Sequence, residues 1–173
     1  MKNKIPIAKI GKTHGIKGWQ KIHLLTDFPE QFKKNATFES DKINLTIENI
    51  DLKRGLVKFK GINSPEEAKK LTNRMLYTTI EKTKKEIKLK ENEYFWFDII
   101  GCDVYEESEL LGKVKEIQRM NGYDYLLIKT NQNLNKKYPK RFLIDFKRNV
   151  KEVDVKNKKI FTKNAKELLD SLV

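Results

Sequence analysis

Ile7-Ala8-Lys9-Ile10-Gly11-Lys12-Thr13-His14-Gly15-Ile16-Lys17-Gly18-Trp19, near the start of a 173-residue chain, sets basic residues and three glycines between two stretches of alternating apolar side chains. Alternation on both sides of a glycine-rich interval is the pattern of two β-strands joined by a loop. Glycine permits positive φ and a close approach of the backbone to a partner, so Gly11, Gly15 and Gly18 are read as structural loop positions. Lys9, Lys12 and Lys17 add charge that needs no bound ligand, and such a loop suits contact with phosphate without requiring catalysis. A tight hairpin whose lysines are merely solvated fits the same residues, so the rest of the chain has to separate the two readings.

The charge balance favours a polyanionic partner. The chain carries 37 Lys and Arg against 24 Asp and Glu, a net charge of +13, and its distribution says more than its total. Residues 1–90 hold 21 basic residues against 10 acidic, residues 91–124 hold 3 against 9, and residues 125–173 hold 13 against 5. A lysine-rich background explains the total but not this asymmetry. The basic load concentrates in the first half, and one acidic segment is suited to a basic partner.

Other function classes are disfavoured by what the sequence lacks. No apolar run approaches the roughly 20 residues needed to cross a bilayer, and the N-terminus lacks the apolar stretch of a secretory signal. No membrane association and a cytoplasmic location are therefore expected. A lone Cys102 cannot form an internal disulfide, and with only His14 and His23 beside it no zinc set can be assembled, so no metal and no cofactor are expected. Gly11-Lys12-Thr13 resembles the end of a phosphate-binding P-loop, but Pro6 stands where that motif needs its earlier glycine. Neither histidine has a serine or cysteine nucleophile in a recognisable context, Cys102 reads as a buried thiol, and Glu106, Glu107 and Glu109 read as a solvated turn rather than paired acid–base groups. No small-molecule substrate and no enzymatic activity are predicted.

Strand patterns run through the chain: 19–25, 43–50, 56–59 and 75–80 in the first half, then 101–105, 112–117, 125–128, 141–146, 150–155 and 160–162. Asn121-Gly122 is a hairpin signal. One short helix is predicted from Ser64, which can cap, with Pro65 at the first helical position and Glu67 completing a capping box; Ala68 and Leu71 would face the sheet. Asn164 is expected to cap a second short helix through Leu168 and Leu169, and residues 130–140 read as a mobile loop. The lysine-rich stretch 81–90 reads as a linker, and the rise in apolar content at Tyr94-Phe95-Trp96-Phe97 marks a second core. The expected architecture is mainly β, with two small barrels, because closing a sheet removes its exposed edges. The boundaries are 1–84 for the first domain, 85–92 for a basic linker and 93–173 for the second domain. On a strand, two of the four rings at 94–97 would point inward and two outward, and exposed aromatics beside an acidic segment make a protein-docking anchor.

Gly11 through Gly18, Glu93-Tyr94-Phe95-Trp96-Phe97-Asp98-Ile99-Ile100-Gly101-Cys102 and Leu111-Gly112-Lys113-Val114 resemble, in order and spacing, the bacterial RimM family of ribosome maturation factors. The resemblance implies an N-terminal six-stranded barrel like those of translation factors and a C-terminal PRC-barrel. It implies a non-enzymatic factor that binds the immature 30S subunit, promotes maturation of its head and supports 16S rRNA processing. The implied partners are 16S rRNA in the pre-30S particle and the nineteenth small-subunit ribosomal protein. Two consecutive tyrosines of the family's mid-chain motif are linked to docking, and they fall on Tyr94 and Phe95 here, the second without its hydroxyl; Trp96 completes the expected docking set. Charge and loop position nominate Lys12, His14, Lys17, Lys21 and Arg54 as rRNA contacts. A monomer is expected. The competing readings are a general structured-RNA-binding module without a dedicated protein partner and an rRNA-processing enzyme.

Overall fold

The computed structural model describes residues 3–173, and the chain divides into two units, residues 1–89 and 90–173. The first contains β1 (Lys4–His14), β2 (Trp19–Leu24), β3 (Thr37–Ser40), β4 (Ile43–Asp51), β5 (Leu56–Phe59), α1 (Pro65–Lys69), β6 (Met75–Thr79) and α2 (Ile80–Glu86). Its strands close into a barrel in the order β1-β2-β5-β4-β3-β6. Alternation, broken on β1 by a register shift between Pro6 and Ala8, sends Ile7, Ile10, Ile22, Phe38, Leu45, Ile47, Val57, Phe59 and Leu76 into a core from which water is nearly excluded. The interval read as a loop is mostly strand: β1 runs through Gly11 to His14, with a register shift between Ile10 and Thr13, and only residues 15–18 form the turn.

Helix α1 forms as its sequence dictates. The Ser64 hydroxyl accepts a hydrogen bond from the Glu67 amide at 3.2 Å, while the Glu67 carboxylate reaches back to the amide of Asn63 at 2.7 Å. Ala68 and Leu71 are buried against the barrel. A residue missed by pattern reading, Gln20, ties this helix to the first hairpin: fully buried on β2, it donates from Nε2 to the carbonyl of Ala68 at 2.8 Å and to that of Gly11 at 3.3 Å. Helix α2 occupies the start of the stretch that composition alone presents as a linker. Thr79 caps it by accepting from the Lys82 amide, and Thr83 and Ile87, one turn apart, are its buried face.

The second unit comprises α3 (Trp96–Ile99), β7 (Asp103–Glu106), β8 (Glu109–Met120), β9 (Tyr123–Thr130), β10 (Arg141–Asp145), α4 (Phe146–Asn149), β11 (Val150–Asp154), β12 (Lys159–Thr162) and α5 (Ala165–Ser171). Its six strands form one sheet in the order β10-β9-β8-β7-β12-β11, with β7 and β12 parallel. The two outermost strands are consecutive in the chain and joined only by α4, so the sheet curls around a single core that includes Val104, Leu111, Val114, Leu126, Ile128, Phe142, Ile144, Ile160 and Leu169. The Asp145 carboxylate accepts from the amides of Lys147 and Arg148, which caps α4 at the corner. The β8–β9 hairpin turns at Asn121 and Gly122, both at positive φ (51° and 81°), as a two-residue primed turn requires.

Three readings of the second half are corrected. The aromatic tetrad is not a strand: Phe95 is the residue preceding α3, and Trp96 and Phe97 lie within it, so alternation does not govern which rings are buried. Asn164 occupies the capping position of α5 at φ 57° but makes no side-chain cap. The cap is the carboxylate of Glu106, which accepts from the amides of Ala165 at 2.8 Å and Lys166 at 3.1 Å, so one member of the acidic turn is a structural group rather than a solvated one. Residues 130–140 are held in place by Tyr138, whose ring is buried in the core and whose hydroxyl donates to Asp170, and by a bond from the Thr130 hydroxyl to the Pro139 carbonyl at 2.6 Å.

One glycine governs how the first hairpin seats. Gly18 has φ +87°, and a Cβ there would stand 2.1 Å from the carbonyl oxygen of Ile62, which is backbone and cannot swing aside. Gly18→Ala is expected to lower the unfolding free energy by more than about 2 kcal/mol. Urea denaturation checks this, and an unshifted midpoint would mean that the approach to Ile62 relaxes freely.

Candidate nucleic-acid interface

The β1–β2 hairpin ends in an exposed, basic tip. Ile16 is 79% exposed at its apex, and Lys12, His14 and Lys17 are exposed around it. Lys21 lies on β2, outside the turn. Arg54, from the turn between β4 and β5, joins the tip: its amide donates to Asp51 at 3.1 Å, and its guanidinium lies 3.4 Å from Nε2 of His14. Among the described residues, Lys12, Lys17, Lys21 and Arg54 make no side-chain ion pair with a carboxylate, whereas Lys4, Lys58 and Arg74 of the same unit do. The structure therefore brings Lys12, His14, Lys17 and Arg54 together, with Lys21 further along the strand. No ion pair among the described residues neutralises Lys12, Lys17 or Arg54, and with Asp51 as the carboxylate in the Arg54 turn the tip keeps an excess of positive charge, which is the electrostatic character that phosphate contact needs.

The second unit presents a different surface. Phe95 is 5% exposed and stacks on Phe97 with centroids 5.0 Å apart, so it belongs to the packing. A phenol at that site would need a buried partner for its hydroxyl, which phenylalanine does not. Trp96 is 43% exposed and meets Phe97 edge-on at 5.5 Å. Tyr94 is half-buried and makes an edge contact with Phe146 at 6.0 Å. It opens onto a groove of about 510 Å³ lined by apolar Phe146, Val150 and Val153 together with charged Lys147, Lys151 and Glu152. Of the three nominated docking residues, Tyr94 and Trp96 are accessible and Phe95 is not.

Helix α3 is clamped by a residue that no local motif announces. Lys158, in the turn before β12, donates from Nζ to the carbonyls of Phe97 and Asp98 at 3.2 Å and of Ile100 at 3.4 Å, meeting the negative end of this short helix. Cys102 is fully buried and donates from Sγ to the carbonyl of Asp98 at 3.1 Å. Burial pushes its thiol pKa upward, with Asp98 and Asp103 adding to the rise and Lys158 and Lys113 opposing it. No group of three His, Cys, Asp or Glu side chains among the described residues is disposed to hold a metal ion. No helix among them is long and apolar enough to cross a membrane.

The sequence profile of the RimM N-terminal domain matches residues 5–83, and that of the PRC-barrel domain matches residues 91–169. The chain belongs to the RimM family. A ribosome maturation factor RimM from Nitratiruptor sp. is 51% identical over 170 residues, covering 97% of this chain and 98% of that protein. The ribosome maturation factor RimM of Sulfurimonas denitrificans is 47% identical over 168 residues, covering 95% and 94%. That of Campylobacter jejuni subsp. jejuni is 42% identical over 165 residues, covering 92% of each. The closed barrel and the curled six-stranded sheet are thus the two domains of a RimM chain.

Because the thiolate is the reactive form and its formation is opposed here, Cys102 is expected to react with iodoacetamide at pH 8 at least about tenfold more slowly in the native chain than in urea. Mass spectrometry of the alkylated fraction with time measures both rates, and equal rates would place the thiol in contact with solvent.

Proposed function

We propose that this chain is a ribosome assembly factor that acts by binding rather than by chemistry. Its first unit faces immature 16S rRNA through the hairpin tip, and its second docks, through Tyr94 and Trp96, on the nineteenth small-subunit ribosomal protein in the 30S head. Residues 1–84 and 93–173 are the working modules and 85–92 connects them. The observation that carries this reading is the net-basic tip of a RimM chain, where Lys12, His14 and Lys17 on the exposed hairpin are joined by Arg54 and none of the basic side chains is ion-paired among the described residues. The name ribosome maturation factor belongs to the relatives, and it accords with a surface built to hold a polyanion.

Binding alone suffices for such a role. A factor that holds a near-native head more tightly than its misfolded alternatives raises the occupancy of the near-native state; equal affinity for both would shift nothing. The phosphate contacts supply affinity and salt dependence, and the protein contact supplies location. The working site is the cytoplasm, where subunits are assembled, and the acting form is a monomer.

Co-sedimentation with free 30S subunits, intact 70S ribosomes and an unrelated structured RNA, at low and moderately high salt, tests this. Salt-resistant binding to free 30S alone is the expected result. Equal, salt-labile binding to all three would reduce the chain to a general RNA binder, and defined cleavage of precursor rRNA by the purified chain would make it an enzyme. Replacing Lys12 and Lys17 by alanine is expected to weaken binding to 16S rRNA and to lower the slope of log K against log salt by about 1 to 2. Trp96→Ala is expected to weaken capture of the ribosomal protein by about tenfold or more while leaving RNA affinity unchanged. Calorimetric titration with the isolated ribosomal protein reads this, and an unchanged affinity would remove Trp96 from the interface.

A further inference from the structure

Beyond the hairpin tip, the outward face of the same two strands carries two further lysines and an imidazole. The β1–β2 register sets Lys9 directly opposite His23, and Lys21 precedes His23 by two residues on the same face of β2. Gly11 lies among them. A Cβ at position 11 would stand 2.9 Å from Nε2 of His23 and 2.9 Å from Cβ of Lys21, so the imidazole lies across bare backbone with Lys21 beside it. All three side chains are exposed. None is engaged by a carboxylate among the described residues. The residues paired with them on the flanking strands, Met75 opposite Lys9 on β6 and Leu56 opposite Lys21 on β5, bring no charge.

An extended strand advances about 3.3 Å per residue, so Lys21 and His23 are spaced about 6.6 Å along β2. That interval is comparable to the separation of successive phosphates along a nucleic-acid strand. Clustered cations without counter-charges repel one another, and an anion seated among them relieves the repulsion. The row follows one strand direction and is continuous with the tip, which fits a linear polyanion better than a single headgroup. The absence of a side chain at position 11 lets the His23 imidazole lie flat on the strand beside Lys21, which keeps the two groups close together on the outer face.

We propose that Lys9, Lys21 and His23, gathered over Gly11 on the outer face of β1–β2, hold the phosphate backbone of an rRNA strand that continues from the hairpin tip along the barrel. This rests on the reading of the first unit as the rRNA-facing one and adds Lys9 and His23 to its contacts. Phosphate contacts fix the register of the strand and carry no sequence information. The row therefore orients the barrel on RNA rather than selecting a sequence.

The test compares two double variants of the full chain, Lys9→Ala with His23→Gln and Lys12→Ala with Lys17→Ala, binding an in-vitro 16S rRNA transcript across a salt series. The first pair is expected to lose about three- to tenfold in affinity, with a salt slope lowered by about 1. Lys9→Gln alone repeats the slope measurement with the imidazole in place, so a folding defect in the pair is not read as a lost contact. If the tip pair weakens binding and neither Lys9 variant changes affinity or slope, the strand-face site is overturned and the tip reading stands. If neither pair changes anything, both fall. A parallel titration with phosphatidylserine vesicles separates the anion sources: loss confined to RNA supports the site, and equal loss for vesicles overturns its assignment to rRNA.

Discussion

The first unit depends on how closely its opening hairpin approaches the chain before α1. Gly18 passes the carbonyl of Ile62 at a distance that leaves no room for a side chain, and Gln20, two residues on, donates from within the barrel to the carbonyl of Ala68. These two contacts fix the turn end of β1–β2 against a segment more than forty residues away in the chain. With that end held, Ile16 and Lys17 in the turn project outward.

The second unit solves a different problem. Four residues of α3 cannot stabilise themselves as a helix, because so short a segment leaves most of its backbone groups unsatisfied. They are held by Phe95 and Ile99 entering the packing and by Lys158 gathering three carbonyls at the helix end. Trp96 can then remain exposed without the segment unravelling. The substitution of phenylalanine at position 95, where a hydroxyl would be expected from the family pattern, is consistent with a ring that serves packing.

How much of this is legible in the sequence depends on the range of the interaction. Alternation reveals most strands, the Ser64-Pro65-Glu66-Glu67 signature reveals α1, and Asn121-Gly122 reveals a hairpin, because each is decided by residues adjacent in the chain. The exposed tip cations are legible for the same reason. What is not legible is set by distant partners. Glu106 displaces Asn164 as the cap of α5 from nearly sixty residues away. Gln20, polar in a strand pattern, gives no sign that it is buried, and Tyr138 turns a polar stretch into an ordered one by reaching Asp170. The tetrad misleads because four consecutive aromatics satisfy strand propensity even where a helical turn and tertiary packing decide their faces.

The parallel pairing of β7 with β12 joins residues 103–105 to residues 159–161. The clamp on α3 comes from Lys158, and the core closes only with Leu169. The first unit, by contrast, has every strand of its barrel by residue 79. During synthesis the barrel can therefore assemble while the rest of the chain is still being made, whereas the surface bearing Trp96 has no fixed form until the last residues emerge. A nascent chain would thus expose a finished basic barrel well before the surface bearing Trp96 takes its form.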